Sequence, residues 1–283
     1  MNTSTENTKN ISFEFFPPKI EAGIKKLKTI REEFSKVNPN FFSVTYGAGG
    51  STRDRTRETV IETQNQTGIE TAPHLSCVGD TKEELRELIN DYKSKGIKRI
   101  VALRGDLPSG MGASLGELKY ASDLVTFIRE ESGDHFHLEV AAYPEMHPQA
   151  ANMHADLQAF KTKVEAGADS AITQYFYNID AYKFFVDSCE KMGIDIPIVA
   201  GIMPIINYEN LMRFSNSCGA EVPRWIRMRL EAYQNDLESI RQFGEEVVTS
   251  LCEEVLALGA PGLHFYTMNQ LNPSLSIWRN LNC

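Results

Sequence analysis

Eight times along 283 residues a short apolar run is followed by a segment of helical periodicity, and this alternation constrains the fold more than any other feature. Strands are predicted over Ile11 to Phe15, Phe41 to Thr45, Glu70 to Leu75, Arg99 to Leu103, His137 to Ala142, Ser170 to Gln174, Pro197 to Gly201 and Gly262 to Tyr266. Helices are predicted over Ala22 to Phe34, Arg53 to Gln66, Lys82 to Lys95, Tyr120 to Glu131, Met153 to Ala166 and Ala181 to Met192. In the first, Ile24, Leu27, Ile30 and Phe34 share one face, and Asp80-Thr81 caps the third. Gly47 to Ser51 and Pro108 to Gly116 read as loops. The connection after the seventh strand is longer and carries three helical patterns, Tyr208 to Ser217, Pro223 to Ala232 and Asp236 to Leu258; a short closing helix follows Pro273. Runs such as Ile100 to Leu103 show no polar alternation, the pattern of a parallel strand covered on both faces. Eight such units in this length imply an α/β fold, a single closed (β/α)8 TIM barrel with extra helices between strands 7 and 8, in preference to an open Rossmann-like sheet. The barrel is expected to occupy residues 11–283 as one domain, after a polar, disordered stretch over residues 1–10.

Composition excludes several classes of partner. The net charge is -9 and no Lys/Arg cluster interrupts it, which argues against a nucleic-acid or anionic-membrane surface. Met1 to Asn10 is polar and lacks a signal-peptide apolar region, and there is no apolar run of about 18 residues, so a soluble cytoplasmic protein is expected. Five cysteines without a C-x-x-C indicate neither a disulfide framework nor a zinc knuckle. His135, His137, His147 and His154 do not fall in a metal-binding spacing, and no metal is expected. Gly110, Gly112 and Gly116 do not make a dinucleotide-binding glycine loop, and there is no G-K-[ST].

What the strands carry at their carboxyl ends points to chemistry. Glu14 lies in the first, Thr45 and Tyr46 end the second, His74 lies in the third, and Arg104-Gly105-Asp106 ends the fourth. Tyr143, Glu145 and His147 follow the fifth, Gln174 ends the sixth, and Tyr266, Thr267 and Asn269 close the eighth. A barrel brings these to one mouth, which favours an enzyme. A carboxylate set between Phe13, Phe15 and Phe16 is expected to be buried, with a raised pKa suited to carrying a proton near neutrality. A Schiff-base aldolase would need a lysine at a strand's carboxyl end, whereas Lys98 lies at a strand entry and Lys163 on a helix. The alternative from another class is a non-catalytic, folate-type small-molecule binding barrel, which needs no buried carboxylate.

Ser12-Phe-Glu-Phe-Phe-Pro-Pro18, Ser43-Val-Thr-Tyr-Gly-Ala48 with Arg53-Asp-Arg-Thr56, Ala72-Pro-His-Leu75, Ala102-Leu-Arg-Gly-Asp-Leu-Pro108, Ala142-Tyr-Pro-Glu145 with His147-Pro148, and Ile172-Thr-Gln174 stand in order along the chain. Together they resemble the bacterial methylenetetrahydrofolate reductases from about Ile11 to Asn269. The resemblance implies a flavoprotein that uses FAD and NADH or NADPH to reduce 5,10-methylenetetrahydrofolate by a ping-pong mechanism, assembled as a homo-oligomer. It makes Glu14 the acid that assists opening of the folate ring, and Asp106 a group at the pterin beside the flavin. Thr45, Tyr46, Ala48, His74, Arg104, Gly105, Asp106, Tyr120, Ala121, Tyr143, His147, Ala150, Asp156 and Lys163 would hold FAD. Asp106, Gln174, Asn210, Phe214 and Gln270 would meet the folate, with Gln174 also touching nicotinamide. Gln270 departs from the family pattern, which has arginine there. The length leaves no room for the regulatory domain of eukaryotic members, so no response to adenosylmethionine is implied.

Overall fold

Glu14 lies across from Ser43 on one side and Tyr266 on the other, because the first strand pairs with both the second and the last. The computed structural model describes residues 10–46, 50–105 and 116–281. In it β1 (Asn10–Phe15), β2 (Phe41–Val44), β3 (Thr71–Ser76), β4 (Arg99–Leu103), β5 (His137–Ala142), β6 (Ser170–Thr173), β7 (Ile198–Ile202) and β8 (Gly262–Tyr266) form a closed barrel in sequence order. Every pairing is parallel. The expected (β/α)8 barrel is therefore the fold.

The surrounding helices are α1 (Glu21–Ser35), α2 (Gly50–Thr67), α3 (Lys82–Ser94), α4 (Ala121–Ser132), α5 (Met153–Glu165) and α6 (Ile179–Lys191). The extra helices between β7 and β8 are α7 (Tyr208–Cys218), α8 (Arg224–Tyr233) and α9 (Leu237–Ala257), and α10 (Ser274–Asn280) closes the described chain. Most boundaries fall within two residues of expectation. Three readings need correction. Asn10, placed in the polar leader, is the first residue of β1, where Asn40 donates to it from the start of β2 at 3.1 Å. Gly50 and Ser51, read as loop, open α2. Ile24 belongs to the face of α1 that remains exposed, since the buried set is Leu27, Ile30, Arg31 and Phe34. Thr81, as expected, caps α3: its side chain accepts the Glu84 N–H while the Glu84 carboxylate accepts the Thr81 N–H. Residues 1–9 and most of the Pro108 to Gly116 loop lie outside the described residues.

Strand alternation sorts side chains between two interiors. Ile11, Phe13 and Phe15 of β1 join Phe42, Phe265 and Phe34 in the core between barrel and helices, with the Phe13 ring 4.1 Å from Phe34 and 5.6 Å from Phe265. Ser12 and Glu14, the alternate positions, turn to the barrel axis. Within the barrel Phe41, Ala72, Val101 and Ile172 pack together with Leu103 and Tyr266. Toward the amino ends of the strands, Arg99 pairs with Glu139 at 2.5 Å and lies 4.5 Å over the Phe41 ring, while Ser170 donates to the second Glu139 oxygen. Burial would raise the Glu139 pKa, but His137, Arg99 and Ser170 together hold it below the ordinary carboxylate range. This filled interior leaves the carboxyl mouth as the approach for a ligand.

Candidate active site

Glu14 stands at that mouth against two histidines. His74 Nε2 of β3 is 3.2 Å from Glu14 Oε2, and His264 Nε2 of β8 is 3.6 Å from the same oxygen. The His74 contact is an ion-pair approach without hydrogen-bond geometry, and Nε2 there is buried with no hydrogen-bond partner. Below them Ser12 Oγ lies 2.7 Å from His264 Nδ1, and Ser43 Oγ lies 3.4 Å from Nε2. Thr267 Oγ1 donates to the Glu14 carbonyl at 2.6 Å, and the Asn269 amide both accepts from Phe16 N–H and donates to Phe16 O, so the loop after β8 is laced to the end of β1.

This arrangement corrects the expected charge state of Glu14. Burial does work to raise its pKa, but the two imidazoles, His74 foremost, overcome it and bring the group down to about 2. The aromatic setting was the wrong premise: Phe13 and Phe15 are buried on the opposite face of the strand, and Phe16 is 42% exposed. Glu14 lives instead among histidines and serines. Sequence reasoning missed His264, Ser12 and Ser43 as its neighbours. Their signal was a polar residue at every second position of Ser12-Phe13-Glu14 and of His264-Phe265-Tyr266.

A second cluster forms where β4, β5 and α5 meet. Arg104 Nη2 donates to Gln149 Oε1 at 2.6 Å, Gln149 N–H donates to His147 Nδ1 at 3.0 Å, and His147 N–H donates to Asp156 Oδ2 at 2.8 Å. The Tyr143 and His147 rings meet edge to face at 4.6 Å, and Ala150 N–H turns back to the His147 carbonyl. Lys163 reaches from α5 to the Ala141 carbonyl near the end of β5. Burial lowers the Lys163 pKa to about 8 against the opposing charge of Asp156. Gly105 takes φ +88°, and a Cβ there would stand 1.9 Å from Ser76 Oγ, so only glycine fits.

On the β2 and β3 side, Tyr46 donates to Asp80 at 2.9 Å with Arg53 3.8 Å from Asp80. Burial and the Asp80 charge push the Tyr46 phenol far above its ordinary range. Thr45 N–H donates to Phe15 O, and its carbonyl accepts from Thr56. Tyr120, 61% exposed, caps α4 ahead of Ala121. Gln174 follows β6 with its Oε1 accepting the Tyr175 N–H. Asn210 is exposed in the first turn of α7, and Phe214 is half-buried with the Arg213 guanidinium 5.0 Å over its ring. Gln270 N–H closes a turn onto Thr267 O. Among the described residues no hydrogen bond or ion pair ties Gln174, Asn210, Phe214 or Gln270 to Glu14. Asp106 and Ala48 lie outside the described residues.

A parallel barrel filled at one end, with a carboxylate, two imidazoles, an arginine and a half-buried lysine toward the other, belongs among the (β/α)8 enzymes. The family model described as methylenetetrahydrofolate reductase matches residues 1–282, and the chain belongs to that family. It is 40% identical over 272 residues to the 5,10-methylenetetrahydrofolate reductases of Salmonella typhimurium and Escherichia coli, covering 96% of this chain and 90% of each relative. It is also 40% identical over 282 residues to methylenetetrahydrofolate reductase (NADH) 1 of Zea mays, covering 95% of this chain and 48% of that protein. A solved structure of an uncharacterized protein from Clostridium thermocellum, described as binding two copies of 5-methyl-5,6,7,8-tetrahydrofolic acid, shares the fold. Its TM-score is 0.64 at 20% identity, covering 96% of this chain and 93% of that one. Among the described residues no helix is long and apolar enough to cross a membrane.

Proposed function

We propose that this chain reduces 5,10-methylenetetrahydrofolate to 5-methyltetrahydrofolate with NADH or NADPH through bound FAD, in a ping-pong sequence that serves one-carbon metabolism and methionine synthesis. The observation that carries this reading is Glu14 at the mouth of a filled barrel, held between His74 and His264. Opening the five-membered folate ring protonates a departing amine, and Glu14 is a carboxylate on β1 that faces imidazoles from two other strands. The residues fit a flavin dinucleotide: Arg104 and Lys163 supply cations for a pyrophosphate, and Gly105, at φ +88°, leaves the end of β4 without a side chain.

Bound FAD would supply the hydride chemistry between nicotinamide and folate. The chain's own residues bind, orient and move the proton. Tyr143, His147, Ala150, Asp156 and Lys163 would hold the cofactor from the β5 and α5 side, while Thr45, Tyr46, Ala48, His74, Tyr120 and Ala121 would hold it from the β2 to α4 side. Arg104 and Gly105, at the end of β4, stand between, and Asp106 would join them in holding it. Asp106 and Gln174 would orient the pterin, with Asn210, Phe214 and Gln270 taking the remainder of the folate. Glu14 would pass a proton to the ring amine as the bond to the bridging carbon breaks. The same reading takes the protein as a cytoplasmic homo-oligomer with a single catalytic barrel.

The visible spectrum of the purified protein tests this. A yellow protein is expected, bleached anaerobically by a reduced nicotinamide. A colourless preparation that FAD cannot reconstitute would remove the oxidoreductase reading and favour a binding barrel.

A further inference from the structure

Glu145, in the loop after β5, is a half-buried carboxyl group with only one of its oxygens engaged. Oε2 accepts the Glu221 N–H at 2.8 Å, from the turn that follows α7, 76 residues further along. Oε1 is buried with no hydrogen-bond partner, and among the described residues no ion pair reaches the group. The two segments touch beside this bond. Gly219, which ends α7 at φ +79°, comes so close that a Cβ there would stand 3.1 Å from Pro148 Cγ and 3.6 Å from the Met146 carbonyl oxygen. Met146 itself takes φ +77°, a strained conformation for a residue other than glycine. From the end of β6, Tyr175 ties the last turns of α7 as well, its hydroxyl 3.0 Å from Ser215 Oγ.

The charged and titratable groups around Glu145 are few. Glu221 presents its own carboxylate, Tyr175 presents its phenol with the Cys218 thiol beside it, and Arg224 and Arg227 of α8 line the hollow that Glu221 borders. Tyr143 and His147, on the loop that carries Glu145, meet each other edge to face. Burial and the Cys218 thiol hold the Tyr175 phenol above its ordinary range, so it stays neutral. We propose that Glu145 is a positioning residue of the folate site: its carboxyl group clasps the turn after α7 to the loop after β5, and so fixes the helix that would bring Asn210 and Phe214 to the folate. The inference rests on the folate reductase reading above, because that reading gives α7 its ligand. The clasp closes best with Glu145 neutral. Burial, joined by the Glu221 carboxylate, pushes its pKa up from 4.5 to about 7, against the Glu221 N–H, which favours the anion. A carboxyl group whose pKa closure raises contributes fully below the ordinary value and loses that contribution as pH rises through the raised one. The clasp therefore loosens progressively from 4.5 to about 7.

Hydrogen exchange of the Glu221 amide in the FAD-loaded full chain tests the clasp, read by mass spectrometry on peptides that begin on either side of residue 221 and corrected for the intrinsic pH dependence of exchange. From about pH 5.5 to 8 the parent is expected to lose protection there by about tenfold or more. Glu145→Gln keeps the shape and cannot ionise; it is expected to hold its protection within about threefold over the same range, and Glu145→Ala to lack it throughout. Reoxidation of the reduced flavin by methylenetetrahydrofolate tests the positioning. Glu145→Ala is expected to raise the half-saturating folate concentration by about fivefold or more, with the limiting rate and the reduction by NAD(P)H within about threefold of the parent. Glu145→Gln is expected to restore that concentration to within about twofold of the parent's at pH 5.5. A Glu221 amide equally protected at both ends of the pH range in the parent overturns the clasp, and this arm needs no variant should either fail to fold. Protection lost in Glu145→Ala with folate half-saturation unchanged overturns the positioning role. A parent that is reduced by NAD(P)H but never passes the hydride to folate would instead defeat the folate reading itself, while the exchange measurement still reads the clasp.

Discussion

Glu14→Gln is expected to give a yellow protein that NAD(P)H still reduces within about tenfold of the parent rate, while folate reduction falls by about 10²- to 10⁴-fold, the usual worth of a positioned acid. Two features of the site lead to this split. Glutamine keeps the size of the side chain, so the barrel closure around β1, with Ser43 and Tyr266 opposite position 14, is undisturbed. It cannot pass a proton, however, and ring opening is the half-reaction that requires one. The substitution also removes the anion facing His74 and His264, which Ser12, Ser43 and the new amide must then satisfy. Rapid-mixing measurement of the two half-reactions separates these effects. Equal losses in both would mean that the carboxylate shapes the site without carrying a proton, and no loss in either would make it a structural carboxylate.

Gly201→Ala is expected to destabilise the protein by about 3 kcal/mol or more, at the upper end of what overpacking usually costs. A Cβ at position 201 would stand 2.0 Å from the Thr173 carbonyl and 2.8 Å from the Tyr266 ring and hydroxyl. Backbone cannot yield as a flexible side chain does, so β7 must separate from β6 or the Tyr266 phenol must leave the Thr173 carbonyl to which it donates at 2.7 Å. The first loses barrel pairing; the second leaves a buried polar group unpaired. Tyr266 also borders Glu14 and His264, so a swung ring would disturb the acid site as well. Thermal unfolding reads the effect as a fall of about 6–12 °C in Tm. A variant melting within about 2 °C of the parent would show that the mouth relaxes around the added methyl group.

These two residues show how unevenly the fold and the site were legible. The barrel was readable because each strand is short, apolar and followed by a helix, and because alternation in Ser12-Phe13-Glu14-Phe15 marks an inward polar row as clearly as an outward aromatic one. Glu14 was legible as a carboxylate within the first strand, at a position that a barrel brings to its mouth. Its charge state was not, since the His264 ring that helps set it lies 250 residues further along, brought adjacent only by closure of β8 on β1. Local sequence around Glu14 shows phenylalanines, and they suggested an apolar pocket that the pleat in fact turns away. Gly50 and Ser51 were read as loop because glycine clusters usually interrupt helices, whereas here they begin α2. Gly201 carried no sequence signal of its close approach to Thr173 and Tyr266, because that demand comes from a neighbouring strand and a residue across the mouth.

The central proposal is that a reduced flavin at this mouth would deliver its hydride to a folate whose ring Glu14 helps to open. The most direct measurement reduces the FAD-loaded protein anaerobically with one equivalent of NADH or NADPH, removes the oxidised nicotinamide, adds methylenetetrahydrofolate, and follows both the flavin absorbance and the folate product. The account predicts that the yellow colour returns with about one 5-methyltetrahydrofolate formed per flavin, as a two-electron transfer requires. A flavin that stays reduced, or that reoxidises without yielding the methyl product, would contradict it.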